Sequence, residues 1–308
     1  MIAKRGAATV RRPTWFLMAL AVSVGMMTSG CRSAPDASTP LKVILEKDNV
    51  YATVDGVDLM VDVARPDGVG GRWPVVIQMP ASGGGGLWDA GGYRGDMEYA
   101  IRLGAKQGYV VVTADYRNIS DGYEFPAQLA DVVCLIRWLR ANARKYSIDP
   151  RRIGIYGTAA EGHIALLAGL MSERDLAEVG ADCGDTRYSS RVQAVLTSGA
   201  PADMLMAYES PIIGGQVARF MGGTPEEMPE QYRLASPVTY VSKDDPPVLA
   251  EYNLVDAWVP VAHGEALEAR MKQEGVRSSL RINSSGRPRN YASLSAANPY
   301  EFFDEHLK

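Results

Sequence analysis

Short runs of apolar, β-branched residues alternate with stretches of helical periodicity from about residue 43 onward, and this alternation limits the chain more than any other feature. "VYATVDGVDLMVDVARP" has period-2 apolar positions on both sides of Asp55-Gly56 and predicts a hairpin. "WPVVIQM" is apolar throughout, as in a strand buried on both faces. "MEYAIRLGAKQG" predicts an amphipathic helix closed by Gly108, followed by the strand "YVVVTADYR". "FPAQLADVVCLIRWLRANARKYS" reads as one long helix, with apolar residues three and four apart. The strand "RRIGIYG" then leads into the helix "GHIALLAGLMS". "VQAVLTSG" and "DDPPVLAEYN" predict two more strands, "GEALEARMKQEG" a helix, "SSLRINS" a strand and "YEFFDEHLK" a closing helix. Such a chain is expected to form a mostly parallel sheet covered by helices on both faces. Residues 200–236, rich in Met, Gly and Pro, fit a small cap or insertion over the sheet's carboxyl edge, where open α/β sheets place ligands.

A formal net charge of −4, with no basic face, excludes nucleic acid as a partner. The first 30 residues read as a signal: Lys4, Arg5, Arg11 and Arg12 precede "WFLMALAVSVGMM", an apolar stretch too short for a membrane span. "TSGC" resembles a bacterial lipobox, which implies cleavage before Cys31 and acylation of its thiol. The other reading is a plain secretory signal with an incidental cysteine. Residues 31–45 then form a Ser/Ala/Pro tether and 46–308 the folded domain. The expectation is an exported protein of the bacterial envelope, held to a membrane by its lipid. Three cysteines make no disulfide framework. Cys134 fits a core position, and a Cys134–Cys183 bridge is permitted by the compartment but indicated by no spacing. The histidines are His163, His263 and His306, and no cluster has zinc spacing. No metal or cofactor is expected.

"GYVVVTADYR", "FPAQLADVVCLIRWLRANARKYSIDPRRIGIYG", "SSRVQAV", "ASPVTYVSKDDPPVL" and "FFDEHLK" together resemble the α/β-hydrolase fold, and within it small esterases of acylated sugars and aryl esters. The resemblance implies a nucleophile elbow of the form G-x-S-x-G. Here it reads Gly157-Thr158-Ala159-Ala160-Glu161, with alanine at the nucleophile position. Thr158 and Glu161 have the spacing of a capping box, which makes the segment read as a turn rebuilt for helix stability. The family's oxyanion loop corresponds to "MPASGGGGLW". Its glycines Gly83, Gly84, Gly85 and Gly86 remain, with Pro80 or Ser82 where a histidine is usual. With Ala160, these glycines are the candidate ligand-binding residues, through their backbone N–H groups. Asp256 falls on the family's acid position, although a lone Asp in a turn is more often a backbone cap. The base position lies in "LRINSSGRPRNYASL", where Gly286 stands and no histidine occurs. Glu251 and Asn253 interrupt an otherwise apolar strand, so Glu251 is expected to be paired, protonated or at a strand end.

The coincident loss of nucleophile, base and loop histidine leads to one principal expectation: a catalytically degenerate homologue that binds a small ester-like or anionic ligand, or a partner. The alternative is an active carboxylic-ester hydrolase using Ser82, Thr158 or Ser198 as nucleophile, with Asp256 or Glu161 as base. A third reading gives Arg287 and Arg289, beside the glycine loop, a carboxylate or phosphate to hold.

Overall fold

The computed structural model describes residues 41–68, 71–80, 88, 94–181, 183–284 and 298–308. Its elements run β1 (Val43–Val54), β2 (Val57–Pro66), β3 (Trp73–Gln78), α1 (Glu98–Lys106), β4 (Val110–Ala114), α2 (Ala127–Ala141), α3 (Ala143–Tyr146), β5 (Ile148–Thr158) and α4 (Ala159–Leu170). Then come α5 (Glu173–Glu178), β6 (Ala194–Ser198), α6 (Met204–Tyr208), α7 (Gly214–Met221), α8 (Pro229–Leu234), β7 (Val248–Asn253), α9 (Ala262–Glu274), β8 (Ser278–Asn283) and α10 (Pro299–Leu307). The strands form one sheet in the order β1-β2-β4-β3-β5-β6-β7-β8. β1, β2 and β4 pair antiparallel, and every later pairing is parallel.

Local chemistry explains these elements. Asp55 and Gly56 both take positive φ, 53° and 78°, the two-residue turn whose twist matches that of the flanking strands. The apolar runs of β3 and β4 are buried because helices cover both faces of the sheet. On one face Val76, Val111, Tyr156, Leu196 and Leu249 pack with Tyr300, Phe303 and Leu307 of α10. On the other, Val75, Ile77, Val112, Ile155 and Val195 pack with residues of α2 and α4.

Three expectations need correction. The long helix over 125–147 is two, α2 and α3, parted at Asn142, whose backbone N–H and side chain both donate to the Trp138 carbonyl oxygen at 2.9 Å. The folded domain begins at Val43 rather than 46, since the end of the supposed tether is the start of β1. Cys134 is more than a core residue: it forms a disulfide with Cys183, tying α2 to the segment that precedes β6. Arg137 reinforces that tie, donating to the Cys183 carbonyl at 2.7 Å and to Glu173 at 2.5 Å. The insertion holds α6, α7 and α8. Among the described residues no helix is long and apolar enough to cross a membrane.

Candidate functional site

β5 turns into α4 at the expected elbow. Ala159 sits at φ 51°, the left-handed region that a Cβ makes costly. A Cβ on Gly157 would lie 2.3 Å from the Glu161 carbonyl oxygen, and one on Gly162 would lie 2.8 Å from the Ala200 methyl. The turn therefore keeps the close backbone passage of a nucleophile elbow while presenting a methyl group. The capping box does not form: Thr158 is the N-cap of α4 but its hydroxyl makes no capping bond. Glu161 is buried instead, and its Oε1 accepts from the Tyr116 hydroxyl at 2.6 Å. A phenol donating to a carboxylate in a dry site makes a stronger bond than a solvent-exposed cap. Glu161 still lies in the first helical turn, where its charge suits the helix dipole.

At the carboxyl edge of the sheet, strand register brings polar side chains into a row. Thr158 of β5 pairs with Ser198 of β6, Ser198 with Glu251 of β7, and Glu251 with Arg281 of β8. Register partners on parallel strands project to the same face, about 4.8 Å apart. Glu251 is buried, and its Oε1 accepts from Arg281 Nη1 at 2.8 Å, the pairing its place in an apolar strand required. Ser198 is half-buried, at the very end of its strand.

Asp256 behaves as the backbone cap foreseen for it. Its Oδ1 accepts from the N–H groups of Trp258 at 2.8 Å and Val259 at 3.2 Å. Its other oxygen lies against Gly199, where a Cβ would stand 3.5 Å away. Ala160 is buried in the first turn of α4, whose leading N–H groups have no helical acceptor.

The histidines hold structure. His163 is fully buried, lies edge-on to Trp88 and Phe220, and has Nε2 2.7 Å from the Ala235 carbonyl, which makes that nitrogen the donor. Burial pushes its pKa down to about 4, against the raising effect of that hydrogen bond. His263 accepts through Nδ1 from the Ala202 N–H at 3.3 Å, and burial likewise lowers it to about 4. His306 lies on α10, also lowered by burial.

Ser82, Gly83, Gly84, Gly85, Gly86, Gly286, Arg287, Arg289 and Cys31 lie outside the described residues. Trp88, which ends the glycine segment, is buried, stacks on Phe220 with ring centroids 4.7 Å apart, and accepts at its carbonyl from the Ile119 N–H at 3.3 Å. Among the described residues no group of three or more His, Cys, Asp or Glu side chains could hold a metal ion. Sequence reasoning missed the Tyr116–Glu161 bond, which gives no pattern in the chain, and the juxtaposition of Ser198 with Glu251. The second had a signal: each residue ends or interrupts a strand at the same edge.

Comparison with known proteins places this geometry. The BD-FAE family model matches residues 61–271, more than half of the chain. The esterase LipQ of Mycobacterium tuberculosis is 28% identical over 72% of this chain and 51% of its own length. "Probable carboxylic ester hydrolase LipM" of the same organism is 30% identical over 68% of this chain and 47% of its own. The chain thus spans about half the length of these relatives. Among solved structures, a truncated carbohydrate esterase from gut microbiota superposes with a TM-score of 0.67 at 26% identity, over 80% of this chain and 89% of that one. These matches correct the expectation of a degenerate, binding-only protein: relatives spanning most of the domain are named for ester hydrolysis. By fold and by sequence, the chain belongs to the BD-FAE family of α/β-hydrolase esterases.

Proposed function

We propose that the protein is an active carboxylic-ester hydrolase whose attacking oxygen comes from a group other than residue 159. A methyl group cannot attack a carbonyl, so the nucleophile must lie elsewhere on the carboxyl edge. The observation that carries this reading is the register row, in which half-buried Ser198 is the strand partner of buried Glu251 and Arg281 holds the Glu251 carboxylate. A hydroxyl is a poor nucleophile unless a base accepts its proton. In this arrangement Ser198 Oγ attacks the acyl carbon while its proton passes to Glu251. The proton then goes to the departing alkoxide, and water releases the acyl group by the reverse sequence. Thr158 is the second candidate, at the N-cap of a buried helix and further from any carboxylate in the register. Asp256 has one oxygen committed to two backbone N–H groups and is not the register neighbour of Ser198, as Glu251 is.

The test is hydrolysis of p-nitrophenyl and acetylated-sugar esters by the full chain, with Ser198→Ala and Thr158→Ala beside it and a serine-directed phosphonate probe. Turnover that Ser198→Ala lowers by roughly a hundredfold or more, with the probe on the peptide containing residue 198, is the expected result. Absence of turnover across the ester panel overturns the reading.

Export and anchoring are proposed on the basic n-region, the short apolar stretch and the small residues before Cys31. The Cys134–Cys183 disulfide suits an oxidising compartment and supports the export half. Palmitate labelling that persists in Cys31→Ser would refute the anchor.

A further inference from the structure

We propose that the cavity between β8 and α10 binds a small zwitterion with an apolar side chain, an α-amino acid or a dipeptide. The cavity measures about 250 Å³ and reaches Val248 and Ser278, the first residues of β7 and β8. It therefore opens toward the amino ends of the strands, whereas Ser198 closes β6 at the carboxyl edge.

Two walls of opposite charge make the site. Leu249 packs with Tyr300 and Phe303 and so marks the face of the sheet that α10 covers. Ser279 is the register partner of Leu249 and projects to that face. Alternation along the strand turns Arg277 and Arg281 the same way, each about 6.7 Å from Ser279. The ladder extends to Arg277, whose carbonyl accepts from the Val248 N–H at 3.2 Å. Opposite them, Glu301 and Glu305 lie one turn apart on a single face of α10, and all five side chains line the cavity.

The walls leave charge uncompensated. Arg281 is committed to Glu251 at 2.8 Å, but Arg277 and Glu301 form no ion pair among the described residues. The cation nearest Glu305 is the His306 ring, with Nε2 3.9 Å away. Burial lowers the His306 pKa below its ordinary 6.5, so near neutral pH that ring carries no charge to offset Glu305. Between the walls, Leu249 and Phe302 supply an apolar surface, and Phe302 meets His306 edge-on with ring centroids 4.7 Å apart. A lone anion would face Glu301 and Glu305, and a lone cation would face Arg277. A molecule carrying both charges satisfies both walls. Ligand pockets commonly start at about 300 Å³, so this cavity suits an occupant of amino-acid or dipeptide size. Its carboxylate meets the Arg277 guanidinium and the Ser279 hydroxyl, its ammonium meets Glu301, and its side chain lies on Phe302 and Leu249.

Isothermal titration of the full chain with L-leucine and with leucyl-alanine tests this and separates the two sources of the zwitterion. N-acetyl-L-leucine, which lacks the ammonium, and L-leucinamide, which lacks the carboxylate, are titrated beside them. The expected result is saturable binding of at least one zwitterion, about tenfold or more tighter than either singly charged analogue. Arg277→Gln and Glu301→Gln should each weaken it about tenfold. Both residues are exposed, so the unliganded variants should melt with the wild type. The readout is binding and stands apart from ester turnover. Failure of both zwitterions to bind overturns the proposal. So does N-acetyl-L-leucine binding as tightly as the zwitterions, which would make this a plain anion site, or variants that bind as the wild type does.

Discussion

At the scale of single residues, the protein spends conformational energy at its elbow and desolvation energy beneath it. Ala159 holds a positive φ that glycine would adopt without a Cβ clash. Ala159→Gly is therefore expected to raise unfolding free energy by about 1 kcal/mol, read from urea denaturation, whereas a relaxed turn would give a loss. The buried histidines make the opposite kind of statement. Each has a folded pKa of about 4, below its ordinary value of 6.5, so between those values the unfolded chain binds more protons than the folded one. Stability is accordingly full above pH about 6.5 and falls as pH drops toward 4, by about 3 kcal/mol for each histidine. Melting temperatures recorded from pH 7.5 to 4.5 check this. His163→Gln, which keeps a donor for the Ala235 carbonyl, should flatten the decline by about one proton's share.

At the scale of elements, most of the scaffold was legible because its signals are local. The Asp55-Gly56 hairpin, the β-branched runs of β3 and β4 and the periodicity of α9 need only neighbouring residues to specify them. What escaped were contacts between distant segments. Thr158 and Glu161 have the spacing of a capping box, yet a tyrosine 45 residues earlier in the chain captures the carboxylate. The break after α2 falls at one asparagine, whose side chain and backbone N–H share the Trp138 carbonyl oxygen. The Cys134–Cys183 bridge spans a separation of 49 residues that carries no sequence signature. Closing a loop of that length restricts the unfolded chain, so Cys134→Ser/Cys183→Ser should cost about 4 kcal/mol if the native packing is otherwise kept. Unchanged urea midpoints with and without reductant would show that the bridge adds nothing.

At the scale of the whole molecule, a single twisted sheet brings chemistry from four strands to one edge. The hydroxyls of Thr158 and Ser198, the Glu251 carboxylate and the Arg281 guanidinium are far apart in sequence and adjacent only through register. The fold class could be read from the chain because alternation dictates it. The site could not, because the elbow carries alanine at 159, and the row that stands nearby follows no linear spacing. The proposed ester hydrolysis, by an oxygen not supplied by residue 159, rests on family membership and on that register row. The most direct measurement is the initial rate of p-nitrophenyl butyrate hydrolysis by the full chain and by Ser198→Ala at equal concentration. The account predicts turnover well above the buffer blank for the wild type and a fall of roughly a hundredfold for the variant. Wild-type hydrolysis no faster than the blank, or a variant as active as the wild type, would contradict it.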